Sequence, residues 1–393
     1  MTGPGPTGVT AARGFVAAGG ACGVKDGGVP DLSLVATADG RPVAAAGVFT
    51  SNLMTAAPVI VSRDHLAATG GRAAAVILNS GNANAATGAP GRRDAEAMCA
   101  AAASEVGCDP TEVLVASTGL IGIPLPIDVI VAGVPAVAAD RSAEGGAAAA
   151  DAILTTDTRR KEAVAAAGGA VVGGMAKGAA MLAPSMATML AVLTTDADVD
   201  PATLQRLLAD GVEGSFNRLL TDGCRSTNDT VVILASGEAG PVDEAALGDA
   251  VAAVCTSLAE QMADDAEGAT KAVRLTVTGA ASDADARTGA EAIARSALCK
   301  CSWYGLDPYW GRLASELGAA GIAFDQERIS VAYGGVTVAA GGVTIAHDEE
   351  AVDAHMAGFH LEITCDLGLG AGECTVLTND LTHAYVDENM GTS

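Results

Sequence analysis

Aromatic residues make up only 3% of this 393-residue chain, and lysine is rarer still, at positions 25, 161, 177, 271 and 300 alone. Lys and Arg together number 22 against 47 acidic residues, a formal net charge of −25. A nucleic-acid binder needs clustered cations to displace counterions from phosphates, and no such cluster occurs, so DNA and RNA are excluded as partners. The same charge disfavours an anionic membrane surface. The uncharged run at residues 178–195 contains Pro184, Ser185, Thr188, Thr194 and Thr195 and is too polar to cross lipid. No basic segment followed by an apolar one opens the chain, so the expectation is a soluble, cytoplasmic protein.

Other absences narrow the chemistry. The nine cysteines (22, 99, 108, 224, 255, 299, 301, 365 and 374) are odd in number and lack zinc-type spacing, which suits reduced thiols. The one close pair, in Cys299-Lys300-Cys301, reads as an accident of core or surface. Histidines 65, 347, 355, 360 and 383 share no ligand spacing, so no metal is expected. No P-loop or dinucleotide fingerprint opens a helix after a strand, so no nucleotide cofactor is expected.

What is present is apolar and small. Half the residues are hydrophobic, mean hydropathy is +0.35, and glycine alone numbers 49, enough for a sizeable globular core. Strand-like runs at 74–79, 113–117, 191–195, 230–235, 273–277, 329–333 and 362–365 alternate with helical stretches at 91–107, 202–208 and within 242–266. Asp200-Pro201 provides a cap and a first-turn proline for one of these helices, and the strand at 113–117 is expected to run into a turn at Thr118-Gly119. The mixture specifies an α/β or α+β protein without giving its topology.

The most informative stretch runs from Gly174-Met175-Ala176-Lys177-Gly178 through Pro184 to Ala187-Thr188-Met189-Leu190. It is a Gly/Ala turn leading to a threonine at the head of a strand. Were the Ala187–Thr188 bond cut, the Thr188 hydroxyl would become a nucleophile with its own α-amine as base. That amine has an ordinary pKa of about 7.7–8.0, near the useful range for proton transfer at neutral pH. Spacing alone favours a buried strand carrying a back-bonded threonine.

Lys177-Gly178, Met181, Pro184 and Ala187-Thr188-Met189-Leu190 resemble the self-cleavage motif of the ornithine acetyltransferase (glutamate N-acetyltransferase) family of arginine biosynthesis. Further blocks follow in the same order: Asn79-Ser80-Gly81-Asn82-Ala83-Asn84, Ser117-Thr118-Gly119-Leu120-Ile121-Gly122, Thr155-Thr156-Asp157-Thr158, Ser226-Thr227-Asn228-Asp229-Thr230, Glu267-Gly268-Ala269-Thr270-Lys271, Trp310-Gly311-Arg312 and Tyr385-Val386. Together they span almost the whole chain.

The resemblance implies an αββα sandwich of the N-terminal-nucleophile type. It implies a precursor that cuts itself between Ala187 and Thr188 into an α chain, 1–187, and a β chain, 188–393, which stay folded together and pair as an α2β2 heterotetramer. The activity implied is transfer of acetyl from N2-acetylornithine to glutamate through acetyl-Thr188. No cofactor is implied, although some members also take acetyl-CoA as a co-substrate. Thr118 and Gly119 match the oxyanion hole. Thr155, Lys177, Glu267, Asn389 and Ser393 match substrate contacts, with Lys177 on the amino-acid carboxylate and Glu267 on the ornithine ammonium.

Four departures mark this chain. Ala180 replaces a glycine, which makes the turn before the cleavage position less free to take positive φ. Cys224-Arg225 stands where an acidic residue is usual, Tyr309 replaces an asparagine, and the tail after Asn389 is short. Three alternatives stay open: a self-cleaving amidohydrolase or aminopeptidase, an acyltransferase for another acylated amino acid, and a non-catalytic paralogue with a binding or scaffolding role, which Tyr309 and the tail motivate.

Overall fold

Several strands carry no polar alternation. Leu32–Thr37 is buried at every residue and Ala75–Asn82 at all but one, the pattern of strands covered on both faces. A computed structural model describes residues 7–183 and 189–391 and divides them into two compact units. One takes the described residues through 217 together with 224–262; the other takes 218–223 and 263–391.

The first unit is built on two sheets. A four-stranded sheet has the order Phe15–Gly20, Leu32–Thr37, Ala75–Asn82, Val113–Leu120, with the last pair parallel and the others antiparallel. A six-stranded sheet has the order Arg72–Ala73, Val43–Phe49, Thr230–Gly240, Leu190–Ala197, Ala170–Lys177, Lys161–Ala167. Val35, Val76, Leu78 and Leu114 of the first pack with Met175, Leu190, Val192, Val232 and Leu234 of the second in one buried core. Burying each such side chain contributes about 1.5–3 kcal/mol.

Helices cover both outer faces. Leu34, Ile77 and Val115 meet Met98 and Cys99 of the helix Gly88–Val106 and Ile130 and Val134 of the helix Ile127–Ala139. On the other side a Cβ added at Gly174 would lie 2.9 Å from Val254 and 3.2 Å from Leu258 of the helix Glu244–Asp264, so that helix rests directly on the strand. The layers therefore run helix, sheet, sheet, helix, the αββα arrangement implied above. The helix Pro201–Gly214 begins as its sequence demands: the Asp200 carboxylate accepts from the N–H groups of Ala202 and Thr203 at 2.9 and 3.0 Å.

The second unit centres on the strand Ala272–Ala280, parallel to His360–Asp366 and antiparallel to Gly372–Asn379. Val277 and Ile363 pack under Ala290 and Ile293 of the helix Asp283–Arg295, Trp303 of Ala297–Tyr304 and Leu317 of Trp310–Ala319. Cys299 and Cys301 fall on the helix Ala297–Tyr304, one buried and one exposed, both free thiols. Among the described residues no helix is long and apolar enough to cross a membrane.

Two local expectations are corrected. The turn placed at Thr118-Gly119 is strand: Val113–Leu120 continues through both residues because they keep their register with Ser80 and Gly81. Ala180 stays out of the left-handed region, and Met181 takes the positive φ there, at 57°. The glycine missing from position 180 is therefore not a position at which this turn needs one.

Candidate active site

The strand end at residues 117–120 is a tight backbone approach. Gly119 has φ +129° and lies opposite Gly81; a Cβ there would sit 2.3 Å from the Gly81 carbonyl carbon and 2.5 Å from the Asn82 nitrogen. Only glycine fits. The neighbouring Thr118 is buried, and among the described residues its hydroxyl has no hydrogen-bond partner. A buried hydroxyl left unpaired costs free energy. A donor held ready for a charge that arrives only during reaction has this character.

The Ser226–Thr230 stretch ties that strand to the segment that follows position 188. The Asn228 amide donates to the carbonyls of Ala83 at 2.6 Å and Ser117 at 2.9 Å. The adjacent Asp229 carboxylate accepts from the Met189 N–H at 3.1 Å. Consecutive side chains thus hold the residue before Thr118 and the residue after Thr188. Asp229 is fully buried, and burial pushes its pKa well above the carboxylate range although hydrogen bonds with the Met189 N–H and the Ser226 side chain oppose the rise. Ala187 and Thr188, the expected cleavage position, lie outside the described residues, as does Ser393.

A buried charge cluster lies beside the end of the Ala170–Lys177 strand. The Lys177 ammonium donates to Thr155 Oγ1 at 2.6 Å and pairs with Asp157 at 3.3 Å. Asp157 also receives Lys161 at 2.7 Å and the Gly178 N–H at 2.7 Å. Burial alone would raise the Asp157 pKa; the charges of Lys177 and Lys161 and the hydrogen bonds overturn this and hold it far below the usual range. The resemblance singled out Thr155 and Lys177, and the structure brings them into contact. Asp157, two residues beyond Thr155, is the anion on which both lysines converge; its only signal was its place in the Thr155–Thr158 block.

Glu267 and Asn389 belong to the second unit, where they also meet: the Asn389 amide donates to Glu267 Oε2 at 2.8 Å and to the Tyr385 carbonyl at 2.9 Å. The Glu267–Lys271 block is fastened to the C-terminal segment. Thr382 donates to the Gly268 carbonyl at 2.6 Å, and Asp380 accepts from the Thr270 and Lys271 N–H groups at 3.0 Å each. At Gly268, with φ +59°, a Cβ would lie 2.3 Å from the Tyr385 nitrogen.

The lysines as a set are unusual. Lys161, Lys177, Lys271 and Lys300 are all at most 6% exposed, and Lys25 is half-buried. Lys271 donates to the Gly358 carbonyl at 2.7 Å, and Lys300 to Thr378 Oγ1 at 3.0 Å, its pKa lowered by burial to about 8.

Comparison with known proteins places these motifs in one lineage. The model of the ArgJ family matches residues 16–391. "Arginine biosynthesis bifunctional protein ArgJ" of Streptomyces avermitilis is 48% identical over 387 residues, covering 98% of this chain and 99% of that protein. The protein of the same name from Mycolicibacterium paratuberculosis is 50% identical over 395 residues, covering 98% and 96%. A crystal structure of ornithine acetyltransferase from Mycobacterium tuberculosis in complex with ornithine matches at 42% identity over 47% of this chain and 96% of that one, with a TM-score of 0.41. With the family model running nearly from end to end, and relatives matched over almost their full lengths, this chain belongs to the ArgJ family.

Proposed function

We propose that this chain is the acetyltransferase of arginine biosynthesis that moves acetyl from N2-acetylornithine to glutamate, with Thr188 as nucleophile. Within the family frame, the observation that carries the reading is the buried Thr118 hydroxyl, without a partner among the described residues and beside the close approach at Gly119.

Maturation begins when the Thr188 hydroxyl adds to the Ala187 carbonyl. The acyl group moves from nitrogen to oxygen, water hydrolyses the ester, and chains 1–187 and 188–393 result, pairing as α2β2. In turnover the Thr188 hydroxyl attacks the acetyl carbonyl of N2-acetylornithine, and its proton passes to the new α-amine. The tetrahedral oxyanion is held by the Thr118 hydroxyl and the Gly119 N–H. Collapse breaks the amide bond, and the α-amine returns the proton to the departing ornithine nitrogen. The glutamate amine then attacks acetyl-Thr188, and the proton it sheds returns through the α-amine to the Thr188 oxygen. Lys177 holds the amino-acid carboxylate as a compact point charge, with Thr155 beside it. Glu267, Asn389 and Ser393 complete the substrate contacts, Glu267 meeting the ornithine ammonium. The cycle needs no cofactor, and acetyl-CoA is a second donor compatible with the same acetyl-Thr188 step.

The test is an equimolar balance. Protein incubated with N2-acetylornithine and glutamate, without coenzyme A, yields ornithine and N-acetylglutamate in equal amounts. Free acetate in place of N-acetylglutamate would establish the hydrolase alternative instead.

Thr118→Val separates catalysis from folding. The hydroxyl has no partner to lose among the described residues, so thermal stability is unchanged or slightly raised. Turnover falls by about 10²–10³, the usual effect of removing one oxyanion donor. A kcat within threefold of the parent would remove Thr118 from the mechanism.

A further inference from the structure

The Asp157 cluster is short of negative charge. Asp157 serves two buried lysines at once, Lys161 and Lys177. The one further lysine of this unit, Lys25, comes to the same place, and among the described residues its ammonium forms no ion pair. Its ammonium donates to the Leu154 carbonyl at 3.1 Å, one residue before Thr155, the hydroxyl that holds Lys177. Burial disfavours its charge, the Asp31 carboxylate favours it, and the charges of Lys177 and Asp157 oppose and favour it in turn.

The position of Lys25 is built. Asp31, fully buried, accepts four backbone N–H groups: from Cys22 at 2.6 Å, Gly23 at 3.1 Å, Val24 at 2.7 Å and Lys25 itself at 2.9 Å. That carboxylate is consumed by the loop and fixes its backbone. The Lys25 stem then lies over Gly81, where a Cβ would come within 2.8 Å of its Cγ. Gly81 is the residue opposite Gly119. Lys25 therefore spans from the strand pair of the candidate oxyanion hole to the Thr155–Lys177 contact. It is half-buried, so its ammonium can still meet a ligand, whereas Lys161 is closed off completely.

An excess cation costs free energy when buried without a counterion. In a chain of net charge −25 carboxylates are plentiful, yet none pairs with Lys25 among the described ion pairs of this cluster. We propose that Lys25 is a specificity-determining residue that binds substrate carboxylate together with Lys177, so that two ammoniums flank the anion of the amino acid whose acyl group is being transferred. The proposal rests on the acetyl-transfer reading and adds to it a residue outside every motif that carried the family resemblance.

The experiment pairs a deletion on the protein with a deletion on the substrate, using the whole mature protein. Lys25→Met raises KM for N2-acetylornithine and for glutamate by about tenfold to a hundredfold, with kcat changed far less. Lys25→Arg recovers most of the loss. With the α-carboxamide of N2-acetylornithine as donor, in which the carboxylate is replaced by a neutral amide, Lys25→Met and the parent have equal kcat/KM. A KM unchanged in Lys25→Met would overturn the proposal. So would a penalty of the same size on the carboxamide, because Lys25 would then act on the strand pair and not on the anion. Failure of the acetyl-transfer reading is distinguishable: the parent protein itself would then move no acetyl from N2-acetylornithine, and both would fall.

Discussion

Thr188→Ala leaves one species of 38.5 kDa, whereas the parent protein resolves by intact mass into two chains that meet at Ala187/Thr188. Turnover of N2-acetylornithine in the variant falls by at least about 10⁴-fold, because nucleophile and base are lost in a single substitution. The parent chains separate only in denaturant. Lys177 and Leu190, on either side of the cleavage position, are opposite each other in adjacent antiparallel strands, and the ladder continues to Val172 and Thr195. The strands that flank residues 184–188 thus belong to one sheet whose hydrogen bonds do not involve the severed peptide. Co-elution on size exclusion checks this. A single uncut chain in the parent would deny Thr188 its α-amine, and the mechanism would lose its base.

Asp157→Ala has the largest expected effect on stability. It leaves Lys161 and Lys177 buried without their common anion, and breaking a buried pair by removing one partner typically costs about 3–5 kcal/mol. For a unit of this size that lowers Tm by about 6–20 °C. Adding Lys177→Met to the variant recovers part of the loss, since one uncompensated charge is removed. Acid titration supplies an independent check. The Asp157 pKa is depressed in the folded protein, so its contribution is fully present above the ordinary carboxylate value of about 4. It is lost progressively as pH falls from there through the lower folded value. The difference in stability between parent and variant therefore narrows only below about pH 4. A gap that stayed constant through that window would mean that Asp157 is not held by its lysines.

Much of this architecture was legible in the residues. Apolar runs such as Val113–Ser117 and Thr230–Ala235 became buried strands, and Asp200-Pro201 opened a helix, because local chemistry and tertiary burial favour the same outcome there. The hairpin Lys161–Ala167 with Ala170–Lys177 was not foreseen. Its alanines and glycines have little strand preference, and pairing across the sheet overrides that. The Thr118-Gly119 turn was misread for a related reason: glycine signals a chain reversal when read alone, but here it permits two backbones to meet side by side. Among the site residues, Lys177 and Thr155 were recognisable as substrate contacts from family blocks, whereas Asp157 and Asp229 stood in such blocks without an assigned role and Lys25 lay outside them. Their importance comes from burial and from partners far along the chain, as in the bond from Lys25 to Leu154, and no short window of sequence contains that information.

The interior placement of the lysines has a consequence for the surface. With four of the five buried and the fifth half-covered, and with arginine supplying the remaining cations, almost no nucleophilic side-chain amine faces solvent. Guanidinium stays protonated and does not compete for activated acyl groups at neutral pH. A protein whose proposed work is to carry an acetyl group on an ester thus offers that ester few amines of its own to acetylate by accident. Its exterior presents few amine acceptors to the chemistry proposed for its interior.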